Sequence, residues 1–298
     1  MTYFKLTTRN WINLGVIGIL GILAIRFNGN PQIYLGLILA YIAIFLAGLF
    51  ANRWVGAILG GLVIFLGYQV RMAFPIQPTL KADKLAAFLE KQESYHQFLN
   101  ANIIWLIIAG VVLGFVAGRI AEILKEDKSD KFTANKLVYM AVMVALGVII
   151  NTMRIGEVSF GGFPIILSGY LLGPIPAFIV GGVTDLVAFI VRPSSFGFNP
   201  IFTLTSALTG LLPIVVTKLI GGKYPQFGFV RVLIGIFVGQ MLTSVLIVPF
   251  FSMILYDRVF LEMATRAFIK QIVSIPIYAF FVQSLTDRLS KVIKFDKL

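Results

Sequence analysis

An all-α polytopic membrane bundle of about ten spans is the fold that this sequence predicts, and three observations predict it. Hydrophobic residues make up 58% of the 298 residues and charged residues only 13%, and the mean hydropathy is +0.93. A water-soluble domain cannot hide that much apolar surface. Uncharged runs long enough to cross ~30 Å of hydrocarbon recur along the chain. Between them lie short breaks built from Asn, Gly, Pro, Lys and Arg, which is where a spanning helix ends.

The elements follow in order. The first apolar run, from Trp11 to Ile25, comes after Lys5 and Arg9 and is not followed by a small-residue cleavage site, so it reads as a retained span. Spans are expected over about 11–26, 32–51 and 54–72, broken at Arg26-Phe27-Asn28-Gly29-Asn30-Pro31 and at Asn52-Arg53. A polar stretch from Pro75 to Asn100 places Leu85, Phe88 and Leu89 at helical spacing among charges, which suggests an amphipathic helix at the membrane interface. The single histidine, His96, lies in this stretch without a second ligand nearby and reads as a solvated surface residue. A fourth span covers about 102–121. "KEDKSDKFTANK", residues 125–136, is polar and carries both signs of charge, so the chain is divided there into an N-terminal block (1–124), a cytoplasmic linker (125–136) and a second block (137–298). The second block holds six apolar segments, over about 137–153, 163–173, 175–191, 201–219, 229–255 and 263–286, and ends in a basic tail.

The net charge of +12 falls in short loops. It reads as the bias of cytoplasmic loops toward Lys and Arg, not as a nucleic-acid surface. With both termini inside, fifteen of the 25 Lys and Arg face the cytoplasm. Residues 47–71 can be laid without gaps on 168–192, bringing Gly48, Gly60, Gly61 and Arg71 onto Gly169, Gly181, Gly182 and Arg192; such glycines recur in any packed membrane bundle, and coincidence explains the match.

Several chemistries lack their residues. Without cysteine there is no disulfide, thiolate metal site or nucleophilic thiol. There is no phosphate-binding loop: Gly221-Gly222-Lys223 lacks the upstream glycine and the following hydroxyl. There is no H-E-x-x-H and no G-x-S-x-G. Acids within the spans are scarce, which disfavours general acid–base catalysis. The expectation is therefore no enzyme, no catalytic residues, no metal and no cofactor.

The remaining polar residues gather near span ends on one side, in "NTMRIGEVSFGGFP", "RPSSFGFNP" and "YDRVFLEMATRAFIKQ". Aromatic rings, glycines and cations together suit a flat anionic small molecule, and they equally suit ordinary interfacial anchoring. Asp185 stands inside an apolar span, where a charge costs ~2.5–3.5 kcal/mol, and is expected to have a structural role. Ala141 and Ala145 lie four apart on one helix face, a spacing that lets another helix approach. In "FNPIFTLTSALTGLLP", Thr203 is expected at the pocket-side end, and Thr205, Ser206 and Thr209 deeper, bonding back to helix carbonyls or packing as small residues.

Taken together, "MRIGEVSFGGFPIILSGYLLGP", "GGVTDLVAFIV", "NPIFTLTSALTGL" and "RAFIKQIVSIPIY" occur in an order that resembles the substrate-binding S component of energy-coupling-factor (ECF) vitamin transporters, nearest the folate group. The resemblance covers residues 137–294 and leaves the N-terminal block unmatched. It implies a six-helix S-component bundle with an extracellular pocket for a vitamin-like small molecule. It also implies partner chains, a transmembrane coupling subunit and two ATPases, with Ala141 and Ala145 docking on the coupling subunit. From where the residues cluster, on one side of the bundle, the expected ligand contacts are Arg154 toward a carboxylate or ring carbonyl, Phe160, Phe163 and Phe198 stacking on a ring, Asn199 and Thr203 hydrogen bonding, and Lys270 meeting an anion. The chain departs from the family pattern in three places. Its first loop is lengthened by "GEV" and a glycine, Ile201 replaces a glycine, and Arg192 stands where an apolar residue is usual. Folate or a related vitamin is the expected ligand. The alternatives are another micronutrient, such as riboflavin or pantothenate, or a non-transport membrane scaffold.

Overall fold

A computed structural model of the chain describes residues 7–26, 35–76, 82–128, 132–152, 161–193 and 197–292. Among the described residues the chain forms ten helices: α1 (Thr8–Arg26), α2 (Leu35–Gly48), α3 (Arg53–Ala73), α4 (Ala82–Lys128), α5 (Ala134–Thr152), α6 (Gly162–Leu172), α7 (Pro174–Val191), α8 (Pro200–Leu219), α9 (Phe229–Tyr256) and α10 (Phe260–Val292). Eight are long and apolar enough to cross a membrane, and α2 and α6 are shorter. Large apolar side chains point outward from these helices, such as Trp105 (71% exposed), Ile104 and Leu261. In water such a surface would aggregate; in a bilayer it is the expected solvent contact.

The contacts divide the chain into two units, Met1–Ile123 and Leu124–Leu298. The first unit packs Ile25, Leu37, Ile44, Val63, Ile64, Tyr95 and Leu99 into its core. Helices in lipid gain little from apolar burial, so close backbone approach has to hold them together. Here α3 and α4 meet along glycines: a Cβ on Gly60 would run into the Gly110 carbonyl oxygen, and one on Gly56 into that of Gly114.

Two expectations for this unit are corrected. The polar stretch 82–100 does not form a helix of its own. It continues unbroken into the apolar stretch as one helix of 47 residues, about 70 Å long at 1.5 Å per residue. Its apolar stripe brings Tyr95 and Leu99, with Phe98 beside them, into the core of its own unit. His96 is half-buried rather than solvated, and its Nε2 accepts a hydrogen bond from Arg71 Nε at 3.3 Å. Arg71 itself is 1% exposed. Its Nη1 donates to the Arg26 carbonyl at 2.7 Å, and its guanidinium lies 5.4 Å from the Tyr95 ring centroid. It thus ties the last turn of α1 to α4, placing a cation at a helix C-terminus where the backbone dipole favours one. Between the two units, α4 runs to Lys128 and α5 begins at Ala134.

The second unit is built around α6. Every residue from Pro164 to Leu172 is buried, as expected of a helix apolar on all sides. Tyr170 supplies its one long polar reach, sharing a 2.7 Å hydrogen bond with Thr217 Oγ1 and packing edge-on against Phe227. Gly173, at φ 99°, takes a left-handed turn that a side chain would oppose, and Pro174 opens α7 at once. Helices α7 and α8 meet along a close glycine seam. A Cβ on Gly181 would meet the Ser206 carbonyl oxygen, and one on Gly210 that of Ala177. Within α9 the turns from Met241 to Ile247 widen to a π-helix. Pro249 follows it. A proline's missing N–H and its clash with the carbonyl four residues back favour local widening upstream.

Candidate functional site

Two adjacent cavities occupy one end of the second unit. The larger, about 720 Å³, is walled by the C-terminal ends of α5, α7 and α9 and the N-terminal ends of α8 and α10. The smaller, about 380 Å³, lies one layer deeper among the same helices and α6. Asn151, Asp185, Phe202 and Val248 line both.

The α7–α8 seam sets the boundary between them. Asn199 caps α8, its Oδ1 accepting from the Ile201 N–H at 3.0 Å, with Pro200 as the first helical residue. The hydroxyls that follow divide into two sets. Thr203 Oγ1 donates to Asp185 Oδ2 at 2.7 Å, and Ser206 Oγ to Asp185 Oδ1 at 3.3 Å. Thr205 and Thr209 instead bond back to the carbonyls of Ile201 and Thr205. The first pair holds a carboxylate within the seam, and the second satisfies itself within its own turn. Ser206 therefore serves Asp185 rather than the helix backbone, and among the described residues the partners of Asp185 are these two hydroxyls on α8.

Rings and cations line the larger cavity. Phe189 and Phe198 lie 5.4 Å apart between centroids, and Phe202 stacks on Tyr256 at 5.9 Å and 13°. Arg192, Arg258 and Arg266 all reach its wall. Arg266 is paired with Glu262 at 2.8 Å, both side chains being exposed. The smaller cavity is lined largely by neutral polar groups. Gln240 Oε1 accepts from both Ser244 Oγ at 2.7 Å and Gln271 Nε2 at 3.1 Å, joining α9, at the entry to its π-helical part, to α10.

Of the residues expected at a site, Phe198 and Asn199 line the larger cavity and Lys270 the smaller. Thr203 lines neither; its hydroxyl is committed to Asp185. Phe163 also lines neither. It packs on Phe281 and on Tyr278, which does line the smaller cavity. Arg154 and Phe160 lie outside the described residues. Ala141 and Ala145 are exposed on α5, in one stripe with Leu137, Val138, Val142 and Leu146. Phe202, Tyr256, Gln240 and Gln271 were not expected at the site. For the two glutamines a signal was present, since an amide within an apolar span costs free energy unless it is hydrogen-bonded.

Residues 135–290 match the family model described as "ECF transporter, substrate-specific component". The chain is 26% identical over 176 residues to the folate transporter FolT of Clostridium novyi (strain NT), a match covering 55% of this chain and 98% of that protein. It is also similar to the crystal structure of FolT bound with folic acid, at 24% identity and a TM-score of 0.44, covering 51% of this chain and 94% of the other.

Proposed function

We propose that this multi-pass membrane protein, which belongs to the family of ECF transporter substrate-specific components, binds folate or a related pterin for uptake into the cell. The observation that carries the ligand class is the pair of joined cavities, with stacked rings and guanidinium groups on the outer wall and amides on the inner. A pterin is a flat heteroaromatic ring with hydrogen-bonding edges, and folate adds a glutamate tail with two carboxylates. Rings stack on Phe and Tyr, ring edges bond amides, and carboxylates pair with Arg. Cavities of this size fall in the usual range of ~300–1,000 Å³ for small-molecule sites. Similarity to a protein named as a folate transporter supports the same ligand.

Phe198, Asn199 and Lys270 act in this reading as wall residues, with Arg154 and Phe160 completing the contacts. Thr203 acts through Asp185, which it holds in place, and Phe163 backs Tyr278. Both termini lie in the cytoplasm, and the cavities open to the outside. Uptake is driven by ATP hydrolysis on other chains, two ATPases joined through a transmembrane coupling subunit. The coupling subunit docks on the exposed α5 stripe at Ala141 and Ala145, where small side chains admit a neighbouring helix.

Isothermal titration of the purified protein with folate, riboflavin, pantothenate and thiamine tests the ligand. Saturable heat with folate alone is expected. Heat with a different vitamin replaces folate, and heat with none removes the vitamin reading. Co-purification tests the partners: Ala141→Leu with Ala145→Leu is expected to abolish capture of the coupling subunit while leaving folate titration intact.

A further inference from the structure

We infer that Arg192 reads an anionic group on the tail of the ligand and makes this site select charged-tail pterins over neutral ones; the inference rests on the pterin reading above. Asp185, Phe189 and Arg192 follow one another at i, i+4 and i+7 on α7, and all three line the larger cavity. That spacing puts them on one helix face, with Arg192 about 10 Å along the axis from Asp185. Asp185 marks the layer shared with the inner chamber, Phe189 is a ring on the wall between, and Arg192 stands at the outer end. A ligand lying along this face with its ring inward brings its tail to Arg192.

The state of the neighbouring charges singles this arginine out. Arg266 is held by Glu262 at 2.8 Å. Asp185 is occupied by Thr203 and Ser206. Arg192 has its backbone pinned as the C-cap of α7, its N–H bonded to the Ala188 carbonyl at 2.9 Å. Among the described residues its guanidinium has no hydrogen-bond or ion-pair partner, although it stands in a wall where Glu262 and Asp185 already have theirs. A planar fork of donors, fixed at its base and unpaired at its tip, matches a carboxylate in two-point geometry. An arginine serving only as an interfacial anchor would sit at the same helix end but would be indifferent to the charge of the ligand.

The test uses two ligands that share ring and length and differ in charge: folic acid, and its dimethyl ester, in which both glutamate carboxylates are neutral. Each is titrated into the full-length protein and into Arg192→Gln and Arg192→Lys. Arg192→Gln is expected to weaken folic acid at least tenfold and the ester less than twofold. Arg192→Lys, which keeps the charge but loses the fork, is expected to fall between. Added salt should weaken folic acid binding to the unaltered protein more than binding to Arg192→Gln. Equal losses for acid and ester, or none for either, overturn the inference while leaving the pterin reading standing. Failure of the unaltered protein to bind either compound overturns the pterin reading and the inference with it. Size-exclusion profiles in detergent establish that each variant is folded.

Discussion

Asp185 shows how a single residue links the fold to the site. A carboxylate inside a span needs partners, and it finds them in Thr203 and Ser206, 18 and 21 residues on, across the α7–α8 seam. Hydrogen bonds to a charged group contribute about 1.5–3 kcal/mol. Thr203→Val should therefore lower the thermal midpoint in detergent. A double-mutant cycle with Asp185→Ala should show a coupling of about 0.5–3 kcal/mol, and a coupling near zero would remove the pairing. Phe202 is the second pivot, since it lines both cavities and stacks on Tyr256. Phe202→Ala should weaken ligand binding at least tenfold by titration, whereas Phe163→Ala, whose ring lines neither cavity, should lose less affinity than stability. The oddity of Asp185 was legible in the sequence, because one acid in an apolar run is a local anomaly. Its partners were not legible. Thr203, Thr205, Ser206 and Thr209 are chemically alike, and only the rotation of α8 against α7 decides which of them face the carboxylate. The pairing of His96 is illegible for a related reason: its partner Arg71 is 25 residues away and looks, in sequence, like a loop cation.

At the scale of elements, close glycine contacts decide which helices can meet. A Cβ on Gly181 collides with the Ser206 carbonyl oxygen, whereas one on Gly182 finds Ala207 Cβ at 3.8 Å, an ordinary contact. Gly181→Ala should therefore lower the thermal midpoint by several degrees and weaken ligand binding with it, while Gly182→Ala, one residue along, should change neither. Equal behaviour of the two would mean that the seam does not organise the site. The match between residues 47–71 and 168–192 gains a physical meaning here without any need for duplication. Gly60 and Gly181, which the alignment equates, both stand where a neighbouring backbone leaves no room for a side chain. Gln240, just before the π-helical part of α9, and Ser244 within it line the chamber wall with Gln271 of α10. Gln240→Leu would leave Gln271 Nε2 and Ser244 Oγ without this acceptor. Hydropathy alone shows α9 as one uninterrupted apolar run, because a change of helical pitch leaves no mark in composition.

The whole molecule combines a six-helix unit that carries the family match with an N-terminal unit that has its own core. Its lack of cysteine makes the proposed orientation directly measurable. Single cysteines at Thr7 and Ser290 should react with a membrane-impermeant maleimide only after the cytoplasmic face is opened. One at Val259, on the wall of the larger cavity, should react from outside and be protected by ligand. The sequence by itself determined the class, the number and order of the helices and the side of the bundle on which polar residues gather. These follow from hydropathy and break residues, which are local and are read within a window of about 20 residues. Only the tertiary structure decided that Thr203 serves Asp185 rather than the cavity, that Arg71 and His96 are joined, and that α4 is one continuous helix. It alone put the face of α7 that carries Asp185, Phe189 and Arg192 on the wall of a cavity. Those outcomes depend on how each helix is rotated and how closely it approaches the next, and small residues far apart in sequence control both.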